Sequence, residues 1–193
     1  MPGKTLFTML TGGVLFISIV KCGNTPTIQQ PVNQPDSAQA LVDRGAYLVT
    51  MMGCNDCHSN KLMTPQGPML DSNNLLAGYL SKDPILAFEA DIIKKGYAVF
   101  TPSLTVGMGP WGTTFAANLT PDSTGIGSWS LDQFKKALRE GKYLGLEGTR
   151  SLMPPMPWQN FSKMHDEDVA AIFAYLKSIK PVKNVVPVFR PTS

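Results

Sequence analysis

Cys54, Cys57 and His58 stand together in the run Cys54-Asn55-Asp56-Cys57-His58. Two thiols at this spacing can close a disulfide, supply half of a zinc site, act as a thioredoxin-like pair, or form thioethers to the two vinyl groups of one porphyrin edge. Zinc needs four ligands, and the chain has 3 cysteines and 2 histidines in all, with His165 far from the pair. A thioredoxin-like pair sits at a strand-to-helix junction in a βαβ context, and none surrounds this one. A disulfide would leave His58 without a task. The spacing C-x-x-C-H is that of c-type haem attachment, in which the histidine after the second cysteine swings beneath the iron. The motif occurs once and no internal repeat is visible, so one covalent haem c is expected, with His58 as its proximal ligand.

What fills the opposite side of the iron decides the chemistry. An open position admits gases or peroxide; a second strong ligand leaves electron transfer. The candidates are His165 and 10 methionines. His165 precedes Asp166, Glu167 and Asp168 at the mouth of a helical pattern, which makes it a cap residue rather than a ligand. Met1 and Met9 belong to a leader, and Met51 and Met52 lie too close to the attachment. Met63, Met69 and Met108 have no supporting pattern. Met153 and Met156 lie in Leu152-Met153-Pro154-Pro155-Met156-Pro157-Trp158, where prolines fix φ and lower the entropy of holding one thioether in place. A methionine is otherwise ordinary core filler. Met156, with a proline on each side, is the favoured ligand over Met153.

The elements that must position these groups are few. A helix is expected from a cap at Asp36 or Ser37 to Met52, with Gly53 as its stop. Leu41, Tyr47, Leu48, Met51 and Met52 form its apolar stripe, and small Gly45 shares that face. Ser130 and Gln133 form a capping-box pattern ahead of Leu131, Phe134, Ala137 and Leu138, with Gly141 as the stop. A last helix follows His165, carrying Val169, Ile172, Phe173, Leu176 and Ile179, with acids in its first turn and Lys177, Lys180 and Pro181 at its end. Between 70 and 117 the reading is looser. Asp83-Pro84 opens a helix to Lys95, and 97–100 with 104–106 make a small hairpin. Trp111 and Trp129 are read as core; Trp158 or Arg150 are candidates to reach a haem propionate.

Composition sets the outer bounds. The chain has 193 residues, 43% hydrophobic and 16% charged, enough to bury a core, while 17 glycines and 16 prolines call for long ordered loops between few helices. Net charge is +3, with no long basic run, which excludes nucleic acid as a partner. Lys4 followed by the apolar stretch 6–20 reads as an export signal too short to span a bilayer. Cys22 directly after it resembles the lipobox of bacterial lipoproteins, with Ile19 at the apolar position and Lys21 where a small residue is usual. The expected organisation is a signal segment at 1–21, a flexible Asn/Gln/Thr/Pro-rich tether at 22–36 behind a lipidated Cys22, a haem domain at 37–181 and a C-terminal tail at 182–193. A freely soluble exported form is the alternative to the anchored one.

The order helix, C-x-x-C-H, Gly67-Pro68, long loops, Met-Pro loop and final helix resembles the class I cytochrome c fold, an all-α fold with long loops, here with a small β-hairpin insertion. The stretch 115–187 resembles the cytochrome c domains that accompany bacterial membrane dehydrogenases, through Asn118-Leu119-Thr120-Pro121-Asp122, Thr124-Gly125-Ile126-Gly127, Trp129, Phe134, Pro155-Met156-Pro157-Trp158 and 166–176. The resemblance implies Met156 as axial ligand. It also implies that the carbonyl of Pro68 takes the ring N–H of His58, which would fix the tautomer and raise ligand basicity. It implies a non-enzymatic electron carrier on the periplasmic side of a bacterial membrane, between a membrane or periplasmic dehydrogenase and a terminal oxidase or other carrier. A fixed subunit of a dehydrogenase complex, a haem sensor or enzyme with a displaceable distal methionine, and a haem-free thiol redox protein remain as alternatives.

Overall fold

The computed structural model describes residues 38–85 and 90–192. The leader, Cys22, the tether and the cap at Asp36 or Ser37 lie outside the described residues. Helix α1 spans Ala38–Met51, and α2, Cys54–His58, is one turn holding the C-x-x-C-H run. Gly53 joins them at φ 68°. Strands β1 (Lys61–Thr64) and β2 (Gly67–Leu70) form an antiparallel hairpin. After the short α3 (Ala90–Lys94), β3 (Val99–Phe100), β4 (Val106–Gly109) and β5 (Gly112–Phe115) make a three-stranded antiparallel sheet in the order β3-β4-β5. Helices α4 (Leu131–Glu140), α5 (Trp158–Phe161) and α6 (Asp166–Ser178) complete the body. No helix among the described residues is long and apolar enough to cross a membrane.

The helical half is organised by the crossing of α1 and α6 at Gly45. A Cβ there would stand 2.0 Å from the Ala171 carbonyl oxygen and 2.7 Å from Tyr175 Cβ, so only glycine admits the approach. Val49, Leu76, Ile126, Phe134, Val169, Ile172 and Leu176 form the buried cluster around it. Each large apolar side chain of this set contributes about 1.5–3 kcal/mol by burial. At α4 the Ser130 hydroxyl accepts from the Gln133 N–H at 3.1 Å, as the capping pattern predicts. The Gln133 side chain does not return to Ser130; its Nε2 donates to the Leu144 carbonyl at 2.8 Å instead, tying the helix start to the loop beyond Gly141.

The sheets correct the all-α expectation: the fold is helices plus two small sheets. The expected hairpin at 97–100 and 104–106 is present as β3 and β4 with the second strand shifted to 106–109, and β5 extends it. Leu104 adopts φ 60°, outside any strand, which pushes the pairing on by two residues. The helix expected from Asp83 does not begin there: residues 83–85 are non-helical, and α3 starts at Ala90. The β1–β2 hairpin was not anticipated. Leu62, Met63, Met69 and Leu70 are all exposed, so its strands lack the in–out alternation that marks a half-buried strand.

The chain after α6 does not leave the body. Asn184 is buried and donates through Nδ2 to the carbonyls of Ala77 and Tyr79, both at 2.8 Å. Asn118 Nδ2 in turn donates to the Val182 carbonyl at 2.8 Å. Farther on, Thr113 and Arg190 exchange backbone hydrogen bonds of 2.7 and 3.0 Å, adding residue 190 to the edge of β5.

Candidate haem site

Helix α2 meets α1 at the left-handed Gly53, and that turn delivers Cys54, Cys57 and His58 to the wall of a mainly apolar cavity of about 590 Å³. No disulfide joins the two cysteines. Burial pushes Cys54 up to about 11, and burial likewise raises Cys57, with Asp56 adding to the shift in each case. A thioredoxin-type pair is activated by a lowered thiol pKa; this pair is displaced the other way.

The His58 ring is fixed by its backbone partner. Nδ1 lies 2.8 Å from the Ala117 carbonyl oxygen. A carbonyl only accepts, so Nδ1 carries the proton and donates, and Nε2 keeps its lone pair for a metal. Burial holds the imidazole below its ordinary pKa, which also keeps it neutral.

The bond to Ala117 corrects the expectation for Pro68. Gly67-Pro68 opens β2, where Pro68 pairs with Met63 and is exposed. The partner of His58 instead comes from 59 residues farther along the chain. Gly78 makes that approach possible. It has φ 75°, and a Cβ on it would stand 2.3 Å from the Ala116 carbonyl oxygen. Its N–H donates to the His58 carbonyl at 2.7 Å, and the Tyr79 N–H donates to the Ala116 carbonyl at 3.0 Å. The segment 76–79 therefore lies between the histidine's own backbone and the stretch after β5 that orients its ring. Nothing in the identity of Ala117 advertises this role; the only sequence signal is its place directly before Asn118-Leu119-Thr120-Pro121-Asp122.

Met156 lines the same cavity as the motif and packs against the helical core cluster. Met153 lines it too, so the cavity alone does not separate the two. The loop is held from two sides. Leu152 N–H donates to the Gly141 carbonyl at 2.6 Å, at the end of α4. Thr114 Oγ1 on β5 donates to the Pro154 carbonyl at 2.8 Å. The three-stranded sheet thus braces the methionine loop, a role for Thr114 that the sequence reading missed. The rejected candidates lie elsewhere: His165 is the exposed N-cap residue of α6, Met63 and Met69 are exposed on the hairpin, and Met108 is buried under the sheet.

Arg150 is the one lysine or arginine among the described cavity-lining residues. Its guanidinium carbon lies 4.0 Å from the ring centroid of Tyr143 and 5.2 Å from that of Phe189, stacked between two aromatics. Trp158 is not among the lining residues; it packs against Gly141, where a Cβ would stand 2.3 Å from the indole. The C-terminal segment supplies one wall through Val185, Val186, Pro187 and Phe189.

The donor set fits a c-type haem. The cavity has the size and apolar lining of a cofactor site, two thiols at one edge, an imidazole with a free lone pair, a thioether on a braced loop, and one guanidinium for carboxylates. No cluster of three or more His, Cys, Asp or Glu side chains suited to a bare metal ion exists among the described residues.

Residues 42–180 match the model of the cytochrome c family. The chain is 29% identical over 179 residues to the fructose dehydrogenase cytochrome subunit of Gluconobacter japonicus, 91% of this chain and 29% of the relative. It is 31% identical over 150 residues to the cytochrome c subunit of the quinone-dependent alcohol dehydrogenase of Gluconacetobacter polyoxogenes, 77% of this chain and 24% of the relative. It is 33% identical over 145 residues to the gluconate 2-dehydrogenase cytochrome c subunit of Pantoea cypripedii, 74% of this chain and 24% of the relative. The chain therefore spans less than a third of the length of each of these relatives.

Proposed function

Because the chain belongs to the cytochrome c family, we propose that it is a mono-haem electron carrier, joined to its haem through Cys54 and Cys57 and ligating the iron with His58 and Met156. A haem so held supplies reversible one-electron chemistry. The observation that carries the reading is one cavity lined by both thiols, the imidazole and the methionine of the proline-stiffened loop.

The protein's part is to bind, orient and exclude water. The Ala117 carbonyl fixes the His58 tautomer and makes the ring a better donor. The apolar lining would keep water from a bound haem, and a Met156 thioether ligand beside His58 would favour the ferrous state and raise the potential. Arg150 between Tyr143 and Phe189 is placed to balance propionate charge at the cavity edge. No proton or substrate chemistry is needed of the chain.

The named relatives are cytochrome subunits of dehydrogenases, which supports a dehydrogenase as electron donor; the acceptor in this reading is an oxidase or other carrier. The proposed setting is the periplasmic side of a bacterial membrane, the domain exported by 1–21 and held by lipidated Cys22.

The test is an optical redox titration of protein made with a cytochrome c maturation system, beside Met156→Ala and Met153→Ala. Haem should survive denaturation on the chain. Only Met156→Ala should lose the methionine–iron absorption and fall in potential. Wild type that already lacks that absorption and binds carbon monoxide rapidly would replace the carrier by a sensor or enzyme with a displaceable distal ligand.

A further inference from the structure

Lys61, the first residue of β1, turns its ammonium onto the end of the haem-attachment helix. Nζ donates to the carbonyls of Asn55 at 3.2 Å, Ser59 at 3.0 Å and Ser103 at 2.7 Å, and also contacts the Asp56 carbonyl. An ammonium has three N–H donors, so four carbonyls converge on more than it can fully satisfy. Three of the four belong to α2 or the residue after it; of these, the Asn55 carbonyl also accepts from the Ser59 N–H at 3.3 Å. The fourth belongs to the loop between β3 and β4, whose Leu104 and Thr105 line the haem cavity. The lysine is thus held in one position by backbone from two separate segments. It is a charge of fixed place, unlike a surface lysine, which moves and is screened.

We propose that Lys61 is a positioning cation that sets the reduction potential of the haem, its fixed charge beside the attachment helix favouring the ferrous state. The inference rests on the haem reading above. Reduction adds one negative charge to the haem, and a nearby fixed positive charge stabilises the reduced form by Coulomb attraction. The carbonyl cage is also what keeps the charge beside the helix, since no carboxylate among the described residues is hydrogen-bonded to Nζ to cancel it. The carboxylate of Asp56, an exposed residue that also lines the haem cavity, opposes it.

The experiment compares midpoint potentials of wild type, Lys61→Met, Lys61→Gln and Lys61→Arg holoprotein, at low salt and at high salt. The neutral variants should shift the reduction equilibrium at least tenfold toward the ferric state, which is 59 mV for one electron. Lys61→Arg should stay close to wild type, and the difference should persist in high salt. Thermal unfolding of each variant is recorded alongside, because a merely structural lysine would lower stability without moving the potential. Lys61→Gln keeps two N–H donors without the charge, so it carries the test if Lys61→Met fails to mature. A neutral variant with wild-type potential, an arginine variant that shifts as far as the neutral ones, or failure of both neutral variants to mature would each overturn the proposal. Absence of covalent haem from wild type would instead overturn the haem reading itself.

Discussion

Asn184→Ala should release the C-terminal strap while leaving the helical core in place. Asn184 lies beyond the 42–180 stretch of the family match, yet its side chain spends two N–H donors on the carbonyls of Ala77 and Tyr79, and its Oδ1 accepts from the Ser81 N–H at 3.4 Å. Alanine leaves two buried carbonyls without partners, at about 1–3 kcal/mol each. The full sum would apply only if the strap stayed closed. It can instead open and let water reach those carbonyls, so we expect a loss of about 3 kcal/mol, localised in the strap. At 1.4 kcal/mol per factor of ten, that is roughly a 100-fold increase in the open population. Hydrogen exchange reads this directly, because the Thr113 and Arg190 amides donate to each other's carbonyls and exchange only when the strap lifts. Their exchange should accelerate about 100-fold while amides at the centre of α6 keep wild-type protection. In the holoprotein the same opening exposes the wall made by Val185, Val186, Pro187 and Phe189, and added imidazole should bind the ferric iron more readily. Equal acceleration in α6 and at Arg190 would refute the reasoning, since Asn184 would then hold the whole fold rather than one wall of the cavity.

Two further predictions concern the frame. Gly45→Ala should destabilise by at least about 3 kcal/mol, lowering the melting temperature by roughly 10 °C in a body of this size. Helix propensity alone would favour alanine by about 1 kcal/mol, so a variant as stable as wild type would show that α1 and α6 can separate to admit a Cβ. Asp166→Asn should weaken the start of α6 in a pH-dependent way. Hydrogen bonds from Lys135 and Arg139, then their charges, hold the Asp166 carboxyl below its usual range. A depressed folded-state pKa gives stability that is present above the ordinary carboxylate range and lost as pH falls through the folded value. Urea midpoints of wild type and variant should therefore differ at pH 7 and converge as pH falls below the ordinary carboxylate range; a constant gap would assign the effect to packing.

Much of the site was legible because its chemistry is local. Cys54, Cys57 and His58 need only a one-turn helix to face one cavity, and the proline-rich loop that brings both Met153 and Met156 to that cavity is visible in composition. The helices α1, α4 and α6 were legible for the same reason: caps, stops and 3.6-residue stripes are written within a few residues. What failed was whatever depended on partners distant in sequence. The family resemblance implies Pro68 as the partner of His58, but the ring meets Ala117, a residue whose side chain takes no part in the bond. A backbone carbonyl carries no sequence signature, and its position followed from Gly78, which looks like any loop glycine. The β1–β2 hairpin escaped because exposed strands need no alternation.

The same distinction explains how the parts divide the work. The helical half, locked at Gly45, sets the attachment helix; its packing is dense and its sequence pattern strong. The opposite wall has a small core of its own around Tyr79, Val106 and Met108, and its loops are held by single polar anchors. Thr114 braces the methionine loop, Lys61 ties the 101–105 loop to α2, and Asn184 seats the strap. Each anchor is a polar side chain donating to main-chain carbonyls, a bond that fixes position more than it adds stability. Substitutions in the helical half should therefore be felt first as lost stability. Substitutions at the three anchors should be felt first at the haem, as altered potential or ligand access in a protein that still folds.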